Sequence, residues 1–268
     1  MMANHARGGP SYVPFVLLGS FKRAAIVVAE VNSEHLRVGQ WRVRLLGGFE
    51  FFVDDELRVI SLPAQRLIAF LALNNGSMVE RTYVAGTLWP DSSETAARSN
   101  LRSALSSLGP LRSTIVEVMP RTLQLGRRVL VDLHERREKA HQLLDPSIEG
   151  EYPFAAFAID LLPHWDEVWV EAERESYRQL RLHVLENLSE RSTRQGRFAE
   201  AIESALLAVE EAPLRESSHL ALIRAVAAEG NHGEALKRYT ELCALLDREL
   251  GVDPSFQIDD LLRSVEIA

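Results

Sequence analysis

The segment Trp89-Pro-Asp-Ser-Ser-Glu-Thr-Ala-Ala-Arg-Ser-Asn-Leu-Arg-Ser-Ala-Leu-Ser-Ser-Leu-Gly-Pro110 decides the fold of the N-terminal half of this 268-residue chain. Asp91, Ser92 and Ser93 are candidate N-caps and Gly109-Pro110 is a stop signal, so a helix is predicted between them. Its apolar side chains fall on one face at helical spacing; they are Ala97, Leu101, Ala104, Leu105 and Leu108. Hydroxyl side chains occupy the opposite face; they are Thr95, Ser99, Ser103 and Ser106. One face is therefore suited to a core and the other to close approach of a second molecule.

Upstream of this helix the sequence predicts a small sheet and two further helices. Apolar and polar residues alternate across residues 41–59, with a turn signal at Asp54-Asp55, which indicates a three-stranded antiparallel meander. Pro63 is suited to the first turn of a helix, and Asn74-Asn75-Gly76 ends that helix. A second, shorter helix is predicted from about residue 80 to residue 88.

Downstream of the helix, two short strands are predicted at Thr114–Val118 and Thr122–Leu125, joined by a turn at Met119-Pro120-Arg121. A meander, three helices and a β-hairpin, in this order, are typical of a winged helix-turn-helix. We therefore predict an α+β winged helix-turn-helix with a small antiparallel sheet over residues 41–135, with the third helix as its recognition helix. Residues 1–40 are interpreted as an N-terminal extension of unclear role.

The C-terminal half is predicted to be all helix and to contain an internal repeat. The segment Gly196-Arg-Phe-Ala-Glu-Ala-Ile202 recurs as Gly230-Asn-His-Gly-Glu-Ala-Leu236, an offset of 34 residues. That offset is the period of tetratricopeptide (TPR) repeats, in which small residues let paired helices approach closely. We predict an all-α, TPR-like helical domain over residues 161–268, preceded by a linker over residues 136–160.

Charge is distributed unevenly along the chain. The net charge is −8 overall, but the stretch Ala96–Arg128 carries six arginines against one glutamate, a net charge of +5. Residues 151–268 hold 12 basic and 23 acidic side chains, a net charge of −11. Such asymmetry suggests two domains with different partners. The acidic half is repelled by DNA phosphates and stays free for protein partners.

Composition and motifs argue against several classes of protein. The single cysteine, Cys243, indicates a reducing compartment, so we expect a cytoplasmic protein. The apolar stretch Phe15–Val31 is interrupted by Lys22-Arg23 and is too short to span a bilayer, so no membrane partner is expected. A His and Glu cluster at residues 134–141 is interpreted as a charged linker helix rather than a metal site. No phosphate-binding glycine loop or nucleophile elbow is present, so we predict no enzyme and no cofactor.

The predicted recognition helix has the side chains that reading of bases requires. Short hydroxyl groups can approach base edges in the major groove, and Arg102 can bind a guanine through two hydrogen bonds or contact a phosphate. Arg98 and Arg121 are better suited to phosphate or minor-groove contacts. The candidate DNA-binding residues are Thr95, Arg98, Ser99, Arg102, Ser103, Ser106, Arg121 and Arg127. The alternative interpretation is an ordinary polar surface on a solvated helix.

Motifs in both halves resemble those of a known family. In the predicted winged helix they are Val43-Arg-Leu-Leu-Gly-Gly-Phe49, Leu88-Trp-Pro-Asp91, Ala97-Arg-Ser-Asn-Leu-Arg-Ser-Ala-Leu-Ser106 and Val131-Asp132. They resemble the OmpR-type DNA-binding domain of antibiotic-regulatory (SARP) transcription activators. The second set is Leu162-Pro-His-Trp165, Trp169-Val170, Glu173-Arg-Glu175, Pro213-Leu-Arg-Glu216 and Glu249-Leu-Gly-Val-Asp-Pro254. It resembles the bacterial transcriptional activator domain (BTAD) that follows in that family, so the resemblance covers about Trp41–His134 and Leu161–Leu262.

The resemblance implies a transcription activator that binds direct repeats near a promoter and contacts RNA polymerase. The polymerase contact would involve the loop of Trp89, Pro90 and Asp91; alternatively, Trp89 fills the small core and Pro90 ends a helix. Direct repeats on double-stranded DNA imply a homo-oligomer packed head to tail rather than a two-fold dimer.

Two departures from the family pattern weaken the inference to tight DNA binding. Ser106-Ser-Leu-Gly-Pro110 stands where relatives usually have basic residues, and Met119-Pro120-Arg121 replaces the usual Gly-Tyr turn of the wing. Each lost phosphate contact removes electrostatic affinity for DNA. The alternative function is therefore a TPR-like protein-interaction scaffold whose degenerate winged helix does not bind DNA.

Overall fold

A computed structural model of the chain describes residues 40–145 and 152–266, so the predicted N-terminal extension, except residue 40, lies outside the described residues. The strands are β1 Trp41–Arg44, β2 Glu50–Val53, β3 Glu56–Leu57, β4 Val79–Glu80, β5 Val116–Val118, β6 Thr122–Leu125 and β7 Val129–Val131. The helices are α1 Leu62–Leu73, α2 Arg81–Leu88, α3 Glu94–Ser107, α4 Arg112–Ile115, α5 Asp132–Leu144, α6 Val168–Arg194, α7 Phe198–Glu211, α8 Glu216–Ala228, α9 His232–Leu250 and α10 Ile258–Glu266. This order confirms the predicted winged helix followed by an all-helical region.

Two small sheets frame the winged helix. In the first sheet the strand order is β3-β2-β1-β7, with Trp41 opposite Val53 across the antiparallel pair β1–β2. Strand β7 lies parallel to β1, a pairing that the predicted meander does not contain. The second sheet, of order β4-β6-β5, contains the wing hairpin β5–β6. A tight turn closes this hairpin, since the N–H of Met119 donates to the carbonyl of Thr122 at 3.0 Å.

The helix predicted between Ser93 and Gly109 is confirmed as α3, Glu94–Ser107. Ser93 caps its N-terminus, because the Ser93 hydroxyl accepts a hydrogen bond from the N–H of Ala96 at 3.3 Å. The predicted apolar face is buried along its whole length, from Ala97 to Leu108. The hydroxyl face is exposed to solvent. The helix therefore contributes one side to the core and leaves the other side accessible.

The first strand of the wing begins later than its sequence pattern predicts. Residues Arg112–Ile115 form the single-turn helix α4, so β5 begins at Val116 rather than at Thr114. Gly126 lies against this turn, since its N–H donates to the carbonyl of Ile115 at 2.8 Å. A Cβ on Gly126 would come within 2.1 Å of the Thr114 carbonyl oxygen. The contact between Gly126 and Ile115 spans the hairpin, so the alternation of apolar and polar residues along the strand does not predict it. The strand is shorter than predicted where this contact is made.

The helical region contains the predicted repeat. Helices α7 and α9 follow Gly196 and Gly230, whose φ angles are +73° and +93°. A backbone of this kind favours glycine, because other side chains are strained there. Ala201 and Ala235, related by the 34-residue offset, are both fully buried. Small residues at these positions let neighbouring helices pack closely, as in TPR arrays.

The segment between the winged helix and the helical region is built into their packing. Helix α5, which begins inside the winged helix, packs against α6. Farther along, Leu161 forms an isolated β-bridge with Leu46, and the N–H of Leu162 donates to the carbonyl of Leu45 at 2.9 Å. Leu161 and Leu162 are fully buried and belong to the hydrophobic core of the winged helix. The two regions therefore share one core.

Aromatic side chains and an ion pair extend this junction. Trp165 stacks on Phe49 with ring centroids 5.9 Å apart, and Trp169 packs edge-on against Trp165 at 6.1 Å. Arg66 of α1 pairs with Glu167 at 2.7 Å, and the indole N–H of Trp169 donates to the same carboxylate at 3.0 Å. The start of α6 is therefore held against α1 and the first sheet by both apolar and polar contacts.

A half-buried carboxylate, that of Asp132, lies in this junction. Asp132 accepts hydrogen bonds from the N–H groups of Leu45, Leu46 and Leu133 at 2.9, 3.1 and 2.7 Å. Burial raises the pKa of Asp132 to about 6, although the three backbone hydrogen bonds oppose the rise. Asp132 thus ties the start of α5 to the end of β1, next to the bridge with Leu161.

Within residues 40–145 and 152–266, no helix combines the length and the apolar character needed to cross a bilayer. The same part of the chain contains no group of three or more His, Cys, Asp or Glu side chains that could hold a metal ion. His134 of the charged cluster has a packing role instead, with Nε2 2.7 Å from the carbonyl oxygen of Ala72 in α1. Burial lowers the pKa of His134, so its neutral form is favoured in this contact.

Candidate nucleic-acid interface

The exposed face of α3 carries the residues predicted for base reading. Thr95, Ser99, Arg102, Ser103 and Ser106 are all exposed to solvent, opposite the buried face of the helix. Short side chains let the helix backbone approach a partner closely, and Arg102 extends beyond them. The face is therefore a row of hydroxyl groups with one long cation.

A groove of about 400 Å³ runs beside this face and is lined by four arginines. The lining residues of this basic groove are Glu80, Arg81, Thr82, Arg98, Leu101, Arg102, Pro120 and Arg121. Its arginines come from three elements: Arg81 begins α2, Arg121 lies in the wing turn, and the other two lie on α3. The structure thus brings together three residues that the sequence predicts, Arg98, Arg102 and Arg121, and adds Arg81, which is not among the predicted residues.

Arg81 enters the basic groove through a contact between distant parts of the chain. Strand β4 pairs with β6, which places Glu80 opposite Thr122. The N–H of Arg81 donates to the carbonyl of Arg121 at 2.9 Å, so the start of α2 is tied to the wing turn. The position of Arg81 in the sequence is a usable signal. The helix dipole disfavours a cation at the N-terminus of a helix, so an arginine at this position indicates a role other than helix stability.

Most of the positive charge in the basic groove lacks a carboxylate partner. The winged helix forms ion pairs at Arg44, Arg58, Arg66 and Arg98. Arg81, Arg102 and Arg121 form none with any residue in the described ranges 40–145 and 152–266, and Glu80 is the one carboxylate in the groove lining. Like charges held close together repel each other, and a bound anion relieves that repulsion. The basic groove is therefore suited to phosphate groups.

The other flank of α3 is uncharged. A second groove, of about 310 Å³, lies there and is lined by Ser61, Pro63, Trp89, Asn100, Ser103, Ala104 and Ser107. The hydroxyl groups of Ser61 and Ser107 lie 2.9 Å apart beside it. Because charge is confined to one flank, the two sides of α3 would meet a nucleic acid differently.

Arg127 lies apart from the basic groove. It belongs to the turn after β6, and β6 runs from the wing turn toward the opposite end of the hairpin. At a rise of about 3.3 Å per residue, roughly 20 Å of chain separates Arg127 from Arg121. The structure therefore groups the predicted residues of α3 with the wing turn and leaves Arg127 outside that group.

The predicted polymerase-contacting loop connects α2 to α3. Trp89 is half-buried and packs against the core of the winged helix, as the alternative interpretation expects. The N–H of Trp89 donates to the carbonyl of Ala85 at 3.1 Å, where α2 ends. Pro90 and Asp91 are exposed. These two residues are the most accessible part of the loop.

Basic side chains in the helical region are used differently. Every Lys and Arg from residue 152 to residue 263 contacts a carboxylate, a carbonyl or another side-chain acceptor. Arg174 donates to the carbonyls of Leu161, Leu162 and Trp165, at 3.0, 2.6 and 2.8 Å. It thereby fixes the segment that enters the shared core.

Arg215, at the start of α8, likewise forms a structural contact with α6. It binds Glu186 of α6 through two hydrogen bonds, at 2.7 and 3.2 Å, and the hydroxyls of Ser217 and Ser218 donate to that carboxylate too. Burial raises the pKa of Glu186, but hydrogen bonds from Arg215, Ser218 and Ser217 outweigh it and hold this pKa below its ordinary value. The motif Pro213-Leu-Arg-Glu216 therefore serves helix packing.

The fold and this surface define a winged helix-turn-helix protein with a TPR-like helical region. Residues 154–266 match the family described as the bacterial transcriptional activator domain. The chain is 27% identical over 255 residues to the regulatory protein AfsR of Streptomyces coelicolor, in a match that covers 87% of this chain and 25% of AfsR. The chain thus spans a quarter of the length of this curated relative.

A solved structure shows the same architecture. The structure of Mycobacterium tuberculosis EmbR in complex with a low affinity phosphopeptide matches with a TM-score of 0.62 and 20% identity. The match covers 85% of this chain and 65% of that chain, and it shows the fold. These findings agree with the resemblance that the sequence predicts: a winged helix precedes a helical region that matches the bacterial transcriptional activator domain, and the chain is similar to AfsR over most of its length.

Proposed function

We propose that this chain is a sequence-specific DNA-binding transcription regulator whose winged helix binds promoter DNA. The basic groove beside α3 carries the proposal, because Arg81, Arg102 and Arg121 have no ion pair within the described part of the chain. Guanidinium groups of this kind bind phosphates and release the counterions of DNA. The whole chain has a net charge of −8, so their concentration beside α3 is a local feature.

In this proposal α3 enters the major groove with its hydroxyl face toward the base edges. Arg102 lies between that face and the basic groove, within reach of a guanine or a neighbouring phosphate. Arg81 and Arg121 contact phosphates and fix the orientation of the winged helix. Arg98 exchanges its exposed pair with Glu94 for a phosphate at little cost, since exposed ion pairs contribute little stability. Arg127 is left outside the interface.

The proposal extends to activation of transcription. Direct repeats in a promoter place copies of the chain head to tail, and Pro90 and Asp91 present the exposed part of their loop to RNA polymerase. The similarity to the regulatory protein AfsR and the match to the BTAD family support this extension. The acidic helical region, which DNA repels, contacts protein partners.

The competing function is a TPR-like scaffold with a winged helix that no longer binds DNA. The last turn of α3 carries no basic residue, which favours this alternative. The unpaired arginines of the basic groove weigh against it. A scaffold needs no cluster of cations beside α3, and such a cluster costs repulsion when no anion is bound.

Capture of genomic DNA by the full chain at physiological salt, followed by sequencing and footprinting, tests the proposal. We expect enrichment of fragments that share a directly repeated motif, with a footprint that Arg102→Ala weakens. Arg224→Ala removes an exposed arginine paired with Glu190 in the helical region, and as the matched control it should leave the footprint unchanged. A capture that enriches no sequence would favour the scaffold instead.

A further inference from the structure

The tip of the wing is apolar and exposed. Val118 and Met119 are 40% and 39% exposed, and the exposed Pro120 follows them in the turn. Farther back in the same hairpin the apolar side chains of Val116 and Leu123 are buried. The tip is thus a run of three accessible apolar residues at the end of an otherwise well-packed hairpin.

This tip reaches the basic groove through Pro120, and Val118 and Met119 precede it in the same hairpin. Pro120 and Arg121 line the groove together with Arg102 of the recognition helix. The turn is held on both sides, because the N–H of Arg81 donates to the Arg121 carbonyl at 2.9 Å and Met119 closes the hairpin. Proline also fixes its own φ angle. A short, tied turn of this kind does not swing aside when the groove is filled.

We propose that Val118, Met119 and Pro120 form an apolar wedge that enters the minor groove of bound DNA beside Arg121. The inference rests on the proposed function, because it requires a duplex in the basic groove. Apolar side chains inserted into the minor groove partly unstack a base step and kink the duplex toward the major groove. The wedge therefore bends the DNA at the point where the wing meets it.

Because the wedge unstacks one base step, the affinity for DNA depends on how easily that step deforms. Pyrimidine–purine steps such as TA unstack easily, whereas A-tracts are stiff. The chain therefore distinguishes operators at a position where it forms no hydrogen bond to a base. Arg121 and the wedge also differ in their response to salt: phosphate contacts weaken as salt rises, whereas burial of apolar surface does not depend on counterion release.

The test uses the full chain and the operator that genomic capture returns, with TA, AA or GC placed at the step that faces the wing. Dissociation constants and the bend angle, measured by energy transfer between dyes at the DNA ends, are the readouts. We expect the wild type to prefer TA over AA by about fivefold or more and to bend the duplex. Met119→Ser should bind the three operators alike and bend them less.

Met78→Ser is the matched control, because Met78 is 57% exposed and precedes β4, away from the wing turn. It should keep both the TA preference and the bend. Pro120→Ala provides a second variant with a smaller apolar tip and an intermediate expected preference. A wild type that binds no operator would overturn the proposed function. Binding with an unchanged TA preference and bend in Met119→Ser would overturn the wedge alone.

Discussion

Arginine serves opposite purposes in the two regions of this molecule. In the helical region each described arginine has an acceptor, as Arg174, Arg181 and Arg215 show. In the winged helix, Arg81, Arg102 and Arg121 have none among the described residues, and they converge on one groove. A guanidinium paired across two helices, as in Arg181 and Arg215, holds those helices together, whereas an unpaired guanidinium keeps its charge for a ligand. Arg42, Arg112, Arg127 and Arg128 have no ion pair with a described residue either, so the candidate interface is marked by the convergence of unpaired arginines on one groove.

The largest expected effect, on the free energy of unfolding, comes from removal of a paired arginine. Arg181 is 1% exposed and pairs with Glu211 at 2.8 Å. Arg181→Ala removes a large buried side chain, leaves a cavity, and takes the cation away from that partly exposed carboxylate, so we expect the free energy of unfolding to fall by about 3 kcal/mol in urea denaturation. Arg248→Ala, which removes an exposed partner of Glu249, should cost less than about 1 kcal/mol. Equal small losses would contradict the structural role of the buried arginine.

The second effect concerns the junction between the two regions. The pKa of Asp132 is raised to about 6 in the folded state, above the 3.8 of an ordinary Asp, so the folded chain binds the proton more tightly. Asp132 therefore contributes stability that grows as the pH falls from 7 to 4, by about 2 kcal/mol. This contribution is lost as the pH rises through 6.

Comparison of the wild type with Asp132→Asn isolates this contribution, because the asparagine does not titrate. Urea denaturation at several pH values measures the free energy of unfolding of both chains. The difference between them should change by about 2 kcal/mol between pH 4 and pH 7, in the direction that favours the wild type in acid. Parallel pH profiles would show that burial does not raise the pKa of Asp132.

The third effect tests an unpaired arginine in base reading. Arg102→Ala should weaken binding to the operator by about tenfold, and the loss should depend on the base pair at the contacted position. Its melting temperature should match that of the wild type, since Arg102 is exposed and has no ion pair among the described residues. Fluorescence anisotropy with a set of single-base operator variants measures both affinity and sequence dependence. An equal loss on all of them would reassign Arg102 to a phosphate.

The smallest effect tests the arginines assigned to phosphates. Arg121→Ala should weaken binding to every sequence by about threefold and lower the slope of log K against log salt by about one. Arg81→Ala should behave in the same way, because both side chains line the basic groove. A salt titration of each variant provides the slope. An unchanged slope would remove that residue from the interface.

Local signals explain why much of the fold is predictable. The serine cap, the apolar spacing and the Gly-Pro stop of α3 all lie within one segment, so its position and its exposed face follow from the sequence. The 34-residue repeat is likewise visible because both copies keep glycine and alanine at equivalent positions. The sequence accordingly predicts the hydroxyl groups and Arg102 together on the exposed face.

Contacts between residues far apart in the chain account for the features of the fold and the site that the sequence does not predict. Arg81 enters the basic groove because β4 pairs with β6, and parallel pairing of β7 with β1 joins strands more than eighty residues apart. The insertion of Leu161 and Leu162 into the winged-helix core is of the same kind. No periodicity within a window of a dozen residues encodes such contacts.

The leucines at positions 161 and 162 have a consequence for promoter geometry. Since they complete the core of the winged helix, the helical region is held rigidly against it. In the proposed complex with promoter DNA, the helical region therefore projects from the duplex at a fixed angle. Shifting the operator by half a helical turn, about 5 base pairs, carries a partner held by the helices to the far side of the DNA. Activity should therefore oscillate with operator distance, with a period of about 10.5 base pairs.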